Sequence, residues 1–179
     1  LGAPIAYIIR ARVVLLRDLG ASLSPANAFQ LIQGLETLPL RFREHQANAA
    51  KVTSFLEDHD AVSRVIYPSL FGGAEKALAD KYLAKGHGAL VGLELIGGID
   101  AGRAFIDALK LIYHVANIGD ARSLAIHPAS TTHSQLSAAD QLAAGVTPGY
   151  VRLSVGIEHS DDIIADISQA LDTASAISL

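Results

Sequence analysis

The sequence of 179 residues holds no cysteine, no methionine and no tryptophan. The missing cysteines exclude disulfides and thiolate metal sites, and they fit a cytoplasmic protein. Basic residues do not cluster, and the formal net charge is −4. A polyanionic partner, whether nucleic acid or an anionic membrane surface, is therefore not expected. No apolar run is long enough to span a bilayer, and no signal-peptide pattern is present. The chain starts at Leu1 without a methionine, so it is expected to begin inside a longer protein. What the sequence does have is apolar residues, at 50%. That is enough for a folded globule with a true core.

Periodicity gives an order of elements. Pro4 suits a first helical turn, apolar residues recur at helical spacing from Ile5 to Leu19, and Gly20 is a stop. Ser24-Pro25 is a second start signal for a helix to about Gly34. A longer helix is expected from Glu36 or Pro39 to about Asp58. Its apolar positions, among them Val52, Phe55 and Leu56, share one face. Strands are expected at 62–67, 89–96, 114–117, 124–126 and 150–155. Helices are expected at 74–83, at 101–111 behind an Asp100 cap, and at 163–177 behind Ser160-Asp161-Asp162. The segment 134–144 should be loop with a short helix. The pattern implies an α/β layer in which helices cover a mixed or antiparallel sheet. The organisation expected is a helical part at 1–40, a long linking helix at 41–58 and an α/β domain at 59–179.

Most familiar chemical motifs are missing. The seven histidines show no i, i+4 pairing and no carboxylate at ligand spacing, so they read as structural or surface residues. No Gly-x-Ser-x-Gly elbow and no Gly-x-Gly-x-x-Gly after a strand occurs. Arg152 stands apart. It alternates with Val151 and Leu153, so its guanidinium leaves the strand on the opposite face. A guanidinium on a stiff strand can grip a carboxylate through two parallel hydrogen bonds. On residue type alone, a surface ion pair of little energetic weight is the commoner fate of such an arginine. Asn117-Ile118-Gly119, at a glycine turn, could add an amide and backbone donors. The polar stretch from His127 to His133, bracketed by apolar segments, could complete a convergent site.

The chain resembles the pyridoxal-phosphate enzymes of cysteine and methionine metabolism, and within them the O-acetylhomoserine sulfhydrylases. The resemblance runs through 16–20, Leu23-Ser24-Pro25, 33–38, 116–120, 126–133, 144–148 and 152–158. It implies the C-terminal part of a fold-type I enzyme: the last helices of the large cofactor domain followed by the small α/β domain. It further implies that Arg152 binds the substrate α-carboxylate, that Asn117 and the Ile118 backbone help hold it, and that Thr132 supports the site. By the same resemblance the substrate is a small amino acid, the cofactor is pyridoxal 5′-phosphate and the protein assembles as a homotetramer built from dimers. The family's cofactor lysine lies in a Ser-x-Thr-Lys context. The five lysines here, Lys51, Lys76, Lys81, Lys85 and Lys110, follow Ala, Glu, Asp, Ala and Leu. The resemblance therefore places the catalytic lysine and the cofactor contacts upstream, in another part of the same protein. Related reactions, cystathionine synthesis, cystathionine cleavage or methionine γ-elimination, would use the same fold. A non-catalytic fragment with only structural or assembly contacts is the reading of another class.

Overall fold

A computed structural model describes residues 4–177. The chain divides into two compact units, residues 1–39 and 40–179.

The first unit is helical. α1 (Ala6–Arg10) runs into a π-helical stretch (Ala11–Leu16) and then α2 (Arg17–Leu19). The expected single helix is therefore continuous but underwound in its middle. Gly20 ends it at φ 66°, a left-handed conformation that favours glycine. α3 (Pro25–Glu36) starts as the sequence implies: the Ser24 hydroxyl accepts from the Asn27 N–H at 3.2 Å, and Pro25 opens the first turn. None of these helices buries a residue, and Phe29, Ile32 and Leu35 are all exposed.

The second unit holds the core. α4 (Leu38–Glu57), nearly all of it in this unit, buries His45, Asn48, Ala49, Val52, Thr53 and Leu56. The strands are β1 (Val62–Ile66), β2 (Leu90–Leu95), β3 (Tyr113–His114), β4 (Leu124–Ile126) and β5 (Tyr150–Ser154). They form one sheet in the order β1-β2-β5-β4-β3. β3 and β4 run parallel and the other neighbours antiparallel, so the sheet is mixed. The helices are α5 (Gly73–Tyr82), α6 (Gly98–Ala108), α7 (Ala138–Ala143) and α8 (Ser160–Ile177).

One sheet face carries Val91, Leu93, Leu95, Val151 and Leu153 into a core completed by Val52, Leu56, Phe105, Ile163, Ile167 and Leu171. Period-2 alternation in the strands and one buried stripe on each helix explain this layer. Burial of apolar side chains at these sites supplies most of the driving force, at about 1.5–3 kcal/mol for each large residue.

Two expectations shift. α6 begins at Gly98 rather than Ala101, because Gly97 and Gly98 adopt φ 98° and 65° and turn the chain directly from β2 into the helix. Asp100 then sits in the first turn, not at the cap. The helix stops at Ala108 rather than Leu111. The Asp166 carboxylate draws the next stretch out of the helix by accepting from the N–H groups of Lys110, Leu111 and Ile112, each at 2.9 Å. The third strand is correspondingly earlier and shorter than 114–117: it pairs only at Tyr113 and His114. No helix among the described residues is long and apolar enough to cross a membrane.

Candidate functional site

The face of the sheet opposite the core carries the site. Strand register sets a row of four residues across four strands: Ile66 opposite Gly92, Gly92 opposite Arg152, and Arg152 opposite Ile126. Arg152 is half-buried between core-facing Val151 and Leu153. Its guanidinium enters a cavity of about 460 Å³ lined by Ile66, Ile126, Thr132, His133, Val146 and Tyr150 among others. That volume lies within the range of small-molecule sites. Arg152 is the one arginine or lysine lining it among the described residues.

The loop from His127 to Ser134 forms one wall. His127 is completely buried. Its Nε2 lies 2.7 Å from the Pro148 carbonyl, which can only accept, so Nε2 carries the proton. Nδ1 then accepts from the Ser130 hydroxyl at 2.8 Å. Burial lowers the His127 pKa, the Pro148 carbonyl opposing and Arg103 adding slightly. Gly102 of α6 makes this packing possible: a Cβ there would lie 2.4 Å from His127 Nε2. The wall is tied further by Thr131 Oγ1 donating to the His127 carbonyl, and by Gln141 donating to the carbonyls of Ala129 and His133.

A second network fixes the glycine turn at 117–123. Glu158 accepts from the Ser123 N–H at 2.7 Å and from its hydroxyl at 2.9 Å. Ser123 Oγ accepts from the Gly156 N–H, and Asn48 of α4 donates to the carbonyls of Gly156 and Glu158. Gly119 N–H points to Ser154 Oγ at 3.3 Å.

The candidate residues are thus brought together unequally. Arg152 and Thr132 line the same cavity. Thr132 is exposed, with Oγ1 2.9 Å from His133 Nδ1. Asn117 meets Arg152 through its backbone carbonyl, 3.5 Å from Nη2. Its side chain turns inward on the loop, and Oδ1 accepts from the Ile118 N–H at 2.9 Å. The Ile118 donor that could face a carboxylate is therefore already occupied. Ile118 itself lines another cavity of about 350 Å³, with Phe42, His45, His87, Leu90 and Ser154. That space has an almost wholly apolar wall and no fixed charge, which suits no carboxylate.

Sequence reasoning gave no role to Tyr150 or Gly92, and took His127 only as a structural histidine at the edge of a polar stretch. For Tyr150 the signal was its i, i−2 spacing from Arg152 on one strand, which places both on one face. Gly92 and His127 required register and packing to be seen.

Residues 6–172 match the family model of the Cys/Met metabolism PLP-dependent enzymes. The chain belongs to this family. It is 54% identical over 171 residues to the O-acetyl-L-homoserine sulfhydrylase of Leptospira meyeri, covering 95% of this chain and 39% of that protein. It is 50% identical to the enzyme of the same name from Corynebacterium glutamicum, covering 93% and 38%. A crystal structure of a Campylobacter jejuni protein assigned as an O-acetylhomoserine (thiol)-lyase, which carries a pyridoxyl-lysine monophosphate, superposes with a TM-score of 0.85 at 46% identity. That match covers 96% of this chain and 41% of the other. The chain thus spans about 40% of the length of the relatives it matches. The α/β fold with a mixed sheet agrees with the expectation from sequence.

Proposed function

We propose that the protein containing this chain is a PLP-dependent O-acetylhomoserine sulfhydrylase, and that this chain supplies its substrate-carboxylate half-site. The reaction converts O-acetylhomoserine and sulfide to homocysteine and acetate. The observation that carries the reading is the half-buried guanidinium of Arg152, rigidly placed on β5 and aimed into a cavity of small-molecule size. The names and identities of the relatives support the choice of reaction.

Within that reading, Arg152 grips the α-carboxylate and so fixes the direction of the Cα–H bond to be broken. Thr132 supports the same end of the substrate from the opposite wall. Asn117 holds Arg152 through its carbonyl, and its amide becomes available when the side chain leaves the Ile118 N–H. Pyridoxal phosphate, when bound, supplies the electron sink for proton and leaving-group removal. The cavity fits the carboxylate end of such a site, with one guanidinium and the hydroxyls of Thr132 and Tyr150. No lysine lines it among the described residues. Lys51 and Lys76 are engaged elsewhere, with Ser160 and Asp80. We therefore assign the cofactor-bearing lysine and the phosphate contacts to parts of the protein outside this chain, and infer that the chain alone turns over no substrate. A cytoplasmic homotetramer completes the proposal.

The test is Arg152→Ala in the full-length enzyme. Loss of a charge anchor of this kind should lower kcat/KM by about 2–5 kcal/mol in transition-state terms. An unchanged kcat/KM rejects the assignment. Turnover of O-acetylhomoserine with sulfide, compared with O-succinylhomoserine with cysteine, and with methionine, decides among the family's reactions. For the isolated chain, PLP should produce no absorbance band of a lysine-bound cofactor.

A further inference from the structure

Tyr150 sits two residues before Arg152 on β5, so the two side chains leave the strand on the same face. The residue opposite Arg152 on β2 is Gly92. Its missing side chain leaves a gap in the row, and the Tyr150 ring lies in that gap. A Cβ on Gly92 would come within 2.8 Å of Tyr150 Cε2, 3.1 Å of its hydroxyl oxygen and 3.2 Å of Ile66 Cβ. Both neighbours of that void, Ile66 and Tyr150, line the Arg152 cavity.

The phenol has no other employment. Its hydroxyl makes no hydrogen bond to another described residue. The nearby Glu94 carboxylate is engaged by the Thr147 hydroxyl. Burial raises the Tyr150 pKa, Arg152 opposing in part and Glu94 adding to it, so the hydroxyl stays protonated at neutral pH. It is thus a donor without an acceptor, in the same cavity as a guanidinium. Donors placed beside a fixed cation recognise an anion.

We propose that Tyr150 is a second substrate-binding residue, whose hydroxyl donates to the carboxylate that Arg152 grips, and that Gly92 is small so that the ring can reach it. This rests on the proposed role of Arg152. The division of labour follows from chemistry. The guanidinium supplies charge and a bidentate fork, and the phenol supplies one directional bond on a stiff ring with two rotatable angles. The absence of a side chain at Gly92 lets the ring lean into the row.

The test uses the full-length holoenzyme with Tyr150→Phe, which keeps the ring and removes the donor. KM for O-acetylhomoserine should rise about tenfold or more, the effect of a hydrogen bond to a charged group, while kcat changes little. The readout that a structural role would not move is a pair of competitive inhibitors: a substrate-like amino acid and its carboxamide. The variant should weaken the carboxylate form and leave the neutral carboxamide unchanged. Gly92→Ala, which displaces the ring, should shift the same ratio in the same direction. If Tyr150→Phe leaves KM and the inhibitor ratio unchanged while Arg152→Ala alters both, the Tyr150 assignment is overturned and the Arg152 reading stands. If neither variant moves them, both fall.

Discussion

Acidification should loosen this protein through His127, and the sign follows from its surroundings. The ring is wholly buried, with Nε2–H donated to the Pro148 carbonyl and Nδ1 accepting from Ser130. Burial depresses its pKa below the ordinary 6.5. In the unfolded chain the imidazole titrates normally and so binds more proton than the folded state at mildly acid pH. The stability His127 confers is therefore complete above its ordinary pKa. It is lost as pH falls below that value, down to the depressed folded pKa. The slope cannot exceed about 1.4 kcal/mol per pH unit for one proton. His127→Gln removes the titration but keeps an amide that can still donate near Pro148. Its cost at pH 8 should be about 1–3 kcal/mol, that of a disturbed buried hydrogen bond. Urea unfolding of both forms from pH 8 to pH 5 gives the comparison. The gap between them should stay level from pH 8 to about 6.5, the ordinary histidine pKa, and narrow below it; a gap constant down to pH 5 refutes the reasoning.

Other substitutions test the supports of the site. Asp166→Ala leaves three backbone N–H groups without their 2.9 Å acceptor and should cost about 4 kcal/mol, read as a lower urea midpoint, with Asp166→Asn recovering part of it. Gly156→Ala would place a Cβ 2.2 Å from Glu158 Oε2 and 2.4 Å from the Ser123 nitrogen. The 117–123 turn must then move, so stability should fall by about 1–3 kcal/mol together with a raised KM in the full-length enzyme. Ser24→Ala removes the cap on Asn27 and should cost about 1 kcal/mol, seen as faster amide exchange at the first turn of α3.

The sequence was most legible where one local force dominates. The Ser24-Pro25 start, the Gly20 stop and the alternation around Arg152 each appear where they were expected. Strand pairing was not legible, because register is a long-range property fixed by which faces can be buried together. The end of α6 was misplaced for a related reason. Its competitor for Lys110, Leu111 and Ile112 is a carboxylate on α8, more than fifty residues away. At the site, Arg152 and Thr132 could be nominated from sequence, but the turning inward of Asn117 toward Ile118 could not. That bond, from the Ile118 N–H to Asn117 Oδ1, depends on the loop's folded conformation. His127 read as a structural histidine, and its packing against Gly102 gives that reading its content.

The row Ile66–Gly92–Arg152–Ile126 also couples folding accuracy to recognition. Side chains alternate faces along β5, so a slip of one residue against β2 would carry the guanidinium in among Phe105, Ile167 and Leu171, and would push Val151 and Leu153 into water. Burying that charge unpaired would cost several kcal/mol, far more than a slipped hairpin of ordinary apolar residues would lose. The arginine thus acts as a proofreader of its own strand. A molecule that presents it to the cavity has already been sorted from its mispaired competitors, before any ligand arrives.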